Sequence, residues 1–530
     1  MKAKKMIVAL SSMLMAGVVM VSAAGCGGNR GGDANTLEIY CVDAGYGVEW
    51  VNKLVTKFKE QAWVQEKYPQ ITVRWSSNDD QSYAQGRIDA GARANHFDLL
   101  FGMNMWGYAG EGSKALDLTE LVYKAKVPGE DVTYEEKMDK SYLLSHQYVK
   151  AGGGEASYYT APWVGGMASI LYNEDILKAN NLTVPNTTDE LVQLCADYKA
   201  KNPEGNYAFI QSFDANYFDY MFYTWWAQYE GIQGYENFFG GIDNDVYSSR
   251  IFDQKGRQYS LEVFDALLQD SKGYLNPNSF TQKFVIAQTS FINGEALMHV
   301  NGDWFSCEMI DIMNTKGENA PAIKTMRVPI ISKLGEKLGI TDAELSEIVA
   351  YVDAIGEGET PEMPTFTSSK NYTAEKVIKA VKEARSVVYS IGASHQAIIP
   401  NYAVAKDLAV DFLRFMATDI ALATYAKETY GSTLPFAYKV STEIYDALPL
   451  AQQTRIDYFS SLNGVHTLVS AEYFPLVRYG GLAPFVDQKY YNTFSTTGNK
   501  KTPEDFMKET KEAWTEKKFS QALAAAGLMN

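Results

Sequence analysis

Apolar and polar positions follow two rhythms from Leu37 onward. Leu37–Val42 is a short apolar run with strand character. Val48–Lys59 then sets Trp50, Val51, Leu54, Val55 and Phe58 on one face at helical spacing. The pattern predicts a second strand at Ile71–Trp75, a helix from Asn78-Asp79-Asp80 to about Ala94, and a third strand at Phe97–Phe101. Strands and helices alternating in this order imply an open, mostly parallel sheet with helices on both faces. Ligands of such sheets sit beyond the carboxyl ends of the strands. Those ends carry the loops Asp43–Gly47, Ser76–Asp80 and Gly102–Gly107, which makes Asp43, Tyr46 and Asp80 candidate binding residues.

Farther on, Thr187 and Glu190 have the spacing of a capping box ahead of a helix carrying Leu191, Leu194, Cys195 and Tyr198. Tyr207–Gln211 reads as a strand. Asp214–Tyr229 is dense in aromatics that cannot all face one way on a helix; most belong in the core, with Trp225 or Trp226 a candidate for a cleft. Strands are predicted at Ile323–Ile330 and Gln396–Pro400, and a helix over Lys406–Glu428. Gly339–Gly392 reads as an insertion or peripheral helical unit around the acidic linker Gly356–Glu362, and Thr502–Leu528 as a helical tail.

The most informative stretch is Phe291–Trp304. Phe284, Val285 and Phe291 form an apolar helical face, and Asn293-Gly294 stops that helix. Ala296–Val300 is short and apolar, as for a buried strand, and Asn301-Gly302 turns the chain into Asp303-Trp304. A tryptophan face suits the C–H face of a sugar ring, and a neighbouring carboxylate accepts hydrogen bonds from its hydroxyls. The same residues also fit a core tryptophan after a turn, with Asp303 capping the next helix.

Composition narrows the classes. The chain has 530 residues, 46% hydrophobic and 21% charged, enough for two lobes or more. Its net charge of −16 becomes more acidic still once Lys2, Lys4 and Lys5 are removed with a leader. Nucleic-acid binding and adhesion to anionic lipid both need cationic surface, and both are disfavoured. Lys2–Lys5, the apolar Met6–Val21 and the small residues Ser22–Gly25 have the layout of an export signal. Cys41, Cys195 and Cys307 show no metal-ligand spacing and read as single buried thiols, with one disulfide possible in principle. The five histidines are scattered, and the sequence motifs of zinc proteases, serine hydrolases, phosphate loops and dinucleotide folds are absent. Carboxylates are plentiful enough that a glycoside-cleaving pair stays open.

Phe291-x-x-Gly-Glu-Ala-x-Met-x-x-x-Gly-x-Trp304 resembles the signature of the family 1 extracellular solute-binding proteins, the substrate-capturing subunits of carbohydrate ABC importers. Phe97–Gly102 with Ala115–Leu118, Tyr159–Gly166 with Ser169–Glu174, Lys406–Met416 and Tyr430–Pro435 are similar to that family too. The resemblance implies a two-lobed α/β fold of the type II periplasmic-binding-protein kind. The first lobe would span 37–162 with a return segment from about 323 to 430. The second would span 163–322 and be completed by 431–530. A hinge would run through Pro162 and Gly165-Gly166.

The resemblance further implies that Trp304 stacks on sugar, that Asp303 stands beside it, and that Trp163 and Ser432 reach the cleft. The implied partners are a carbohydrate ligand and membrane permeases, with no nucleic acid, no cofactor, a monomeric state and ATP hydrolysis on a separate subunit. Ala23-Ala-Gly-Cys26 resembles the bacterial lipoprotein box, which implies a diacylglycerol on Cys26, a tether over 26–36 and a place on the outer face of the cytoplasmic membrane. A glycoside-acting enzyme, a binder of peptides or other solutes, and a sensor that reports to a receptor remain alternatives.

Overall fold

The computed structural model describes residues 33–529 except 111, 214–216, 367–368, 370, 462–464, 487–492 and 495–499. The expected leader, Cys26 and most of the tether lie outside the described residues, as does the start of the aromatic run at Asp214. In chain order the two main sheets use β1 (Thr36–Val42), β2 (Thr72–Asn78), β3 (Leu99–Met103), β4 (Ala161–Pro162), β5 (Ala168–Asn173), β6 (Tyr207–Phe209), β7 (Ala296–Gly302), β8 (Ile323–Met326) and β9 (His395–Ile398).

The first sheet has the order β2-β1-β3-β9-β4. β1 pairs in parallel with β2 and β3, as the opening rhythm predicts, while β9 and β4 join antiparallel. The central β1 is almost wholly buried, whereas the edge strand β2 is exposed at alternate residues. The helix Glu49–Glu60 buries Trp50, Val51, Leu54, Val55 and Phe58, the face expected from their spacing. Each such side chain contributes about 1.5–3 kcal/mol. Because β1, β2 and β3 run the same way, the loops holding Asp43, Tyr46 and Asp80 share one rim with the end of β3 at Met103.

The second sheet has the order β8-β5-β7-β6. It is mixed: β5 pairs antiparallel with both β7 and β8, and β7 pairs in parallel with β6. Here the structure departs from the expected boundaries. Ile323–Met326 completes the second sheet, so the chain does not return to the first at 323; it returns at β9. The helices Asp342–Gly356 and Ala374–Ser386 are not peripheral. They bury Leu345, Ile348, Val349, Val352, Val377 and Val381 in the core under the second sheet. Arg385 locks them together, its Nε 3.0 Å and Nη2 2.7 Å from the two oxygens of Asp353. A solvated insertion would not need that buried pair.

Local signals account for the element ends. Thr187 caps the helix Thr188–Lys201 by accepting from the Glu190 backbone, but the Glu190 carboxylate accepts from Asn186 N at 2.7 Å, one residue before the box partner. The single helix expected over Lys406–Glu428 is two, Lys406–Met416 and Asp419–Glu428, because Thr418 caps the second.

The lobes have separate apolar cores and are joined at a hinge. The segment between β4 and β5 runs beside the segment leading into β9: Ile391 N donates to Gly166 O at 2.8 Å and Ala168 N to Tyr389 O at 3.1 Å. Gly166 holds a φ of +61°, and a Cβ there would stand 2.6 Å from Ile391. The close approach of the two strands therefore requires glycine. A third passage leaves the first lobe after Phe436 and leads to the helix Leu450–Ser461, which packs on β8.

Candidate functional site

β7 ends at Gly302 and the next helix, Phe305–Lys316, starts immediately, so Asp303 and Trp304 are fixed at the seam between the lobes. Trp304 follows the second lobe's strand β7 yet packs into the first lobe's core. It folds back over Gly302, where a Cβ would lie 1.9 Å from the indole ring. Tyr46 of the first lobe and Tyr217 and Tyr220 of the second meet it edge-on, at ring-centroid distances of 6.3, 5.5 and 6.0 Å. Trp304 is only 3% exposed in this arrangement.

A line of stacked tyrosines extends from it. Tyr217 lies on Tyr220 at 5.8 Å and 24°, Tyr220 on Tyr389 at 5.3 Å and 16°, and Tyr389 on Tyr223 at 5.0 Å and 15°. All four are half-buried. They come from the helix Asp219–Glu230, the turn before it, and the hinge segment ahead of β9. Parallel aromatic faces of this kind offer apolar area to a flat ligand.

Asp303 faces the other way, into the hinge. It accepts from the Tyr46 hydroxyl at 3.1 Å and from the Thr433 backbone N–H and hydroxyl at 3.2 Å each. Its backbone carbonyl accepts from Gln452 Nε2 at 2.6 Å and from the Ser432 hydroxyl at 3.2 Å. Arg455 donates to Thr433 Oγ1 at 3.2 Å and to Gln452 Oε1 at 2.6 Å. Burial pushes the Asp303 carboxyl above the usual carboxylate range, and the Arg455 guanidinium with the Thr433 and Tyr46 donors pulls it back. The network ties the first lobe's loop, the second lobe's strand end and the C-terminal part of the chain together.

One helical turn beyond Trp304 stands Glu308. Its carboxylate accepts from Gln288 Nε2 at 2.6 Å and reaches the Gly45 backbone of the opposing lobe, where a Cβ would lie 2.9 Å from Oε1. Burial raises its carboxyl, the Gln288 donor opposes this, and the like charge of Asp43 adds to it, leaving it at about 7. Asp43 itself is raised by burial and by Asp79. Cys307 is half-buried, its thiol pushed up to about 12 by burial and by Asp43, Glu308, Asp303 and Asp311.

Set against the expected site, Asp303, Tyr46, Ser432 and Trp304 do come together, but all four are buried in this arrangement, and Tyr46 and Ser432 are both bonded to Asp303. Trp163 is a correction: it is 0% exposed, stacked on Trp50 at 5.7 Å and 18°, and its indole N–H donates to Gly102 O at 3.1 Å. It packs the hinge root instead of facing a cleft. Asp80 is exposed, apart from the cluster, and accepts from the Ser82 backbone and hydroxyl at 2.9 and 2.7 Å. That is a turn, not a ligand contact. Trp225 and Trp226 are core residues, bonded to Pro329 O and to Gln254.

The expected site does not include Glu308, Gln288, Thr433, Arg455 or the tyrosines 217, 220, 223 and 389. Glu308 was within reach, since it lies four residues after Trp304 where a helix is entered. Tyr217, Tyr220 and Tyr223 repeat every third residue. Nothing local marks Arg455 or Tyr389.

Among the described residues no group of three or more potential ligands is placed to hold a metal, and no helix is long and apolar enough to cross a membrane. Residues 44–422 match the family model described as bacterial extracellular solute-binding protein. No curated protein matches the chain. Solved structures with a similar fold include the ABC substrate-binding protein Lmo0181 from Listeria monocytogenes in complex with cycloalternan. It is 13% identical, with a TM-score of 0.52 over 90% of this chain and 97% of that one. A chitin oligosaccharide binding protein is 13% identical, with a TM-score of 0.57 over 92% and 99%. Apo RafE from Streptococcus pneumoniae is 16% identical, with a TM-score of 0.51 over 94% and 100%.

Proposed function

Because this chain belongs to the family of bacterial extracellular solute-binding proteins, we propose that it captures a carbohydrate, an oligosaccharide, for an ABC importer and is not an enzyme. A diacylglycerol on Cys26 anchors it to the outer face of the cytoplasmic membrane, where it works as a monomer facing the permeases. The oligosaccharide and raffinose ligands named for structures of similar fold support the choice of carbohydrate.

The observation that carries the reading is the seam itself. Trp304 and the tyrosine line provide flat apolar faces, and Asp43 and Glu308 provide acceptors for hydroxyls. Opening at the hinge uncovers Trp304, a sugar stacks on it, and reclosure completes the hydrogen bonds. Higher affinity for the closed form drives that closure. Asp303, Tyr46 and Ser432 hold the closed seam, and Trp163 supports it from below.

The test is a thermal-shift screen of the chain from Thr36 onward against mono- and oligosaccharides, with the sugars analysed afterwards. A native-state ligand raises the melting temperature. A rise with one glycan class, the sugar recovered intact, and a loss of about tenfold or more in affinity for Trp304→Ala, which is about 1.4 kcal/mol, are expected. Glu308, poised near neutrality, is the residue a glycoside-cleaving reading would use, and shortened sugar in the recovered sample would move the assignment there. No shift with any sugar would turn the search to peptides and other solutes.

A further inference from the structure

Resting on the carbohydrate reading and narrowing it, we propose that the ligand carries a protonated amine, the ammonium of an amino sugar, seated between Glu308, Gln288 and Asp43. The chemistry of the acceptors carries this. Gln288 is 0% exposed, and its Nε2 is committed to Glu308. Its Oε1 is buried with no partner, a single acceptor beside a carboxylate that is an acceptor already. An unsatisfied buried acceptor is costly and calls for a donor.

The charges around it agree. Among the described residues neither Glu308 nor Asp43 enters an ion pair. The charged neighbour acting on Glu308 is Asp43, and those acting on Cys307 are Asp43, Glu308, Asp303 and Asp311. From the other elements packed here come Tyr217 and Tyr220, and Tyr430 beside Cys307 and Asp311. Each of these groups is neutral or negative. The nearby guanidinium, Arg455, acts on Asp303.

A neutral hydroxyl supplies a donor to this place but leaves the buried negative charge uncompensated. An ammonium supplies three donors and the charge together, to Glu308 and the orphan Oε1 of Gln288, with Asp43 at the open side. In this closed arrangement the Gly45 backbone lies over the Glu308 carboxylate and Gln288 is covered, so the seat opens when the lobes part and Asp43, on the exposed loop beside Gly45, leaves Glu308.

The test titrates the mature chain calorimetrically with a chitosan-type tetrasaccharide bearing free amines and with its fully N-acetylated counterpart. The neutral sugars of the thermal-shift panel serve as reference. Near neutral pH the free-amine form is expected to bind about tenfold or more tightly, and Glu308→Gln, near-isosteric and checked for cooperative melting, is expected to erase that preference. Affinity for the amine should rise with pH as Glu308 ionises and fall again as the amine loses its proton; the acetylated form has no falling limb. Equal or tighter binding of neutral sugars, or a preference that survives Glu308→Gln, overturns the ammonium seat and leaves the carbohydrate reading standing. Absence of binding to every sugar overturns both.

Discussion

Arg455→Met is the most searching perturbation of the hinge network. Arg455 and Asp303 are both buried, and the Thr433 hydroxyl connects them through two hydrogen bonds of 3.2 Å each. A bent relay of that length puts the charges roughly 5 Å apart, and at an effective dielectric near 20 their attraction is about 3 kcal/mol. The loss of the buried donor to Gln452 adds about 1 kcal/mol. The pH sign follows from Asp303. Its folded pKa lies above the unfolded value, so the native state holds the proton more strongly. Stability therefore falls as pH rises through the window between the ordinary and the raised value, and above that window the ionised carboxylate depends on Arg455. Removing Arg455 should cost most at neutral pH and progressively less as acid protonates Asp303. The assay is urea unfolding of the wild type, Arg455→Met, Asp303→Asn and the double variant. A coupling near 3 kcal/mol at neutral pH that shrinks on acidification is expected. A coupling under about 0.5 kcal/mol at neutral pH would refute the argument, because the two substitutions would then act as independent sites.

Gly302→Ala should displace the Trp304 ring, which occupies the space of the added methyl group; a tryptophan fluorescence change with about a tenfold or greater loss of sugar affinity is expected while unfolding stays cooperative. Asp353→Asn should cost about 3 kcal/mol at neutral pH, measured by denaturant titration. Burial works against the Asp353 charge, but Arg385 and Arg327 hold its carboxyl below the usual range. Its contribution is therefore present above the ordinary carboxylate pKa and is lost as pH falls through the depressed one, so the difference between wild type and variant should vanish in acid. Cys41 and Cys195 are buried free thiols and Cys307 is held protonated, so a thiol reagent at mildly alkaline pH should label none of them quickly until the chain unfolds. Rapid native labelling of Cys307 would contradict its place under Gly47, where an added Cβ would lie 3.5 Å from the sulfur.

The sequence carried the elements well wherever short-range periodicity decides. The buried face of Glu49–Glu60 and the parallel start of the first sheet follow from spacing alone. Phe291–Trp304 likewise shows its helix end, strand and turn in order. What it hid was set by partners far along the chain. Besides Trp304, the sequence points to tryptophan at a cleft in two further places, at Trp163 and at Trp225 or Trp226, and in each of these a distant carbonyl or amide satisfies the indole in the core. Burying the ring with its N–H paired is the stronger pull, and single-residue reasoning cannot locate the partner. The carboxylate of Asp303 was rightly placed at the end of a strand, yet its use is fixed by Tyr46, Thr433 and Arg455, none of them near it in sequence. Ile323–Met326 was assigned to the wrong sheet for a similar reason: a short apolar strand fits either one, and only pairing with β5 selects.

The pairing of β9 with β3 also sets an order of assembly. The second sheet draws all its strands from one continuous stretch, Ala168 to Met326, and can close as soon as that stretch exists. The first sheet cannot. Its β3 must wait, one edge uncovered, until the whole second sheet has been made and β9 arrives. Contacts this distant in sequence slow folding, and an unpaired strand edge invites pairing with other chains meanwhile. Of the two main sheets, the one that begins the polypeptide is therefore the last to be completed, and the interval before β9 is when a holding chaperone would matter most to this molecule.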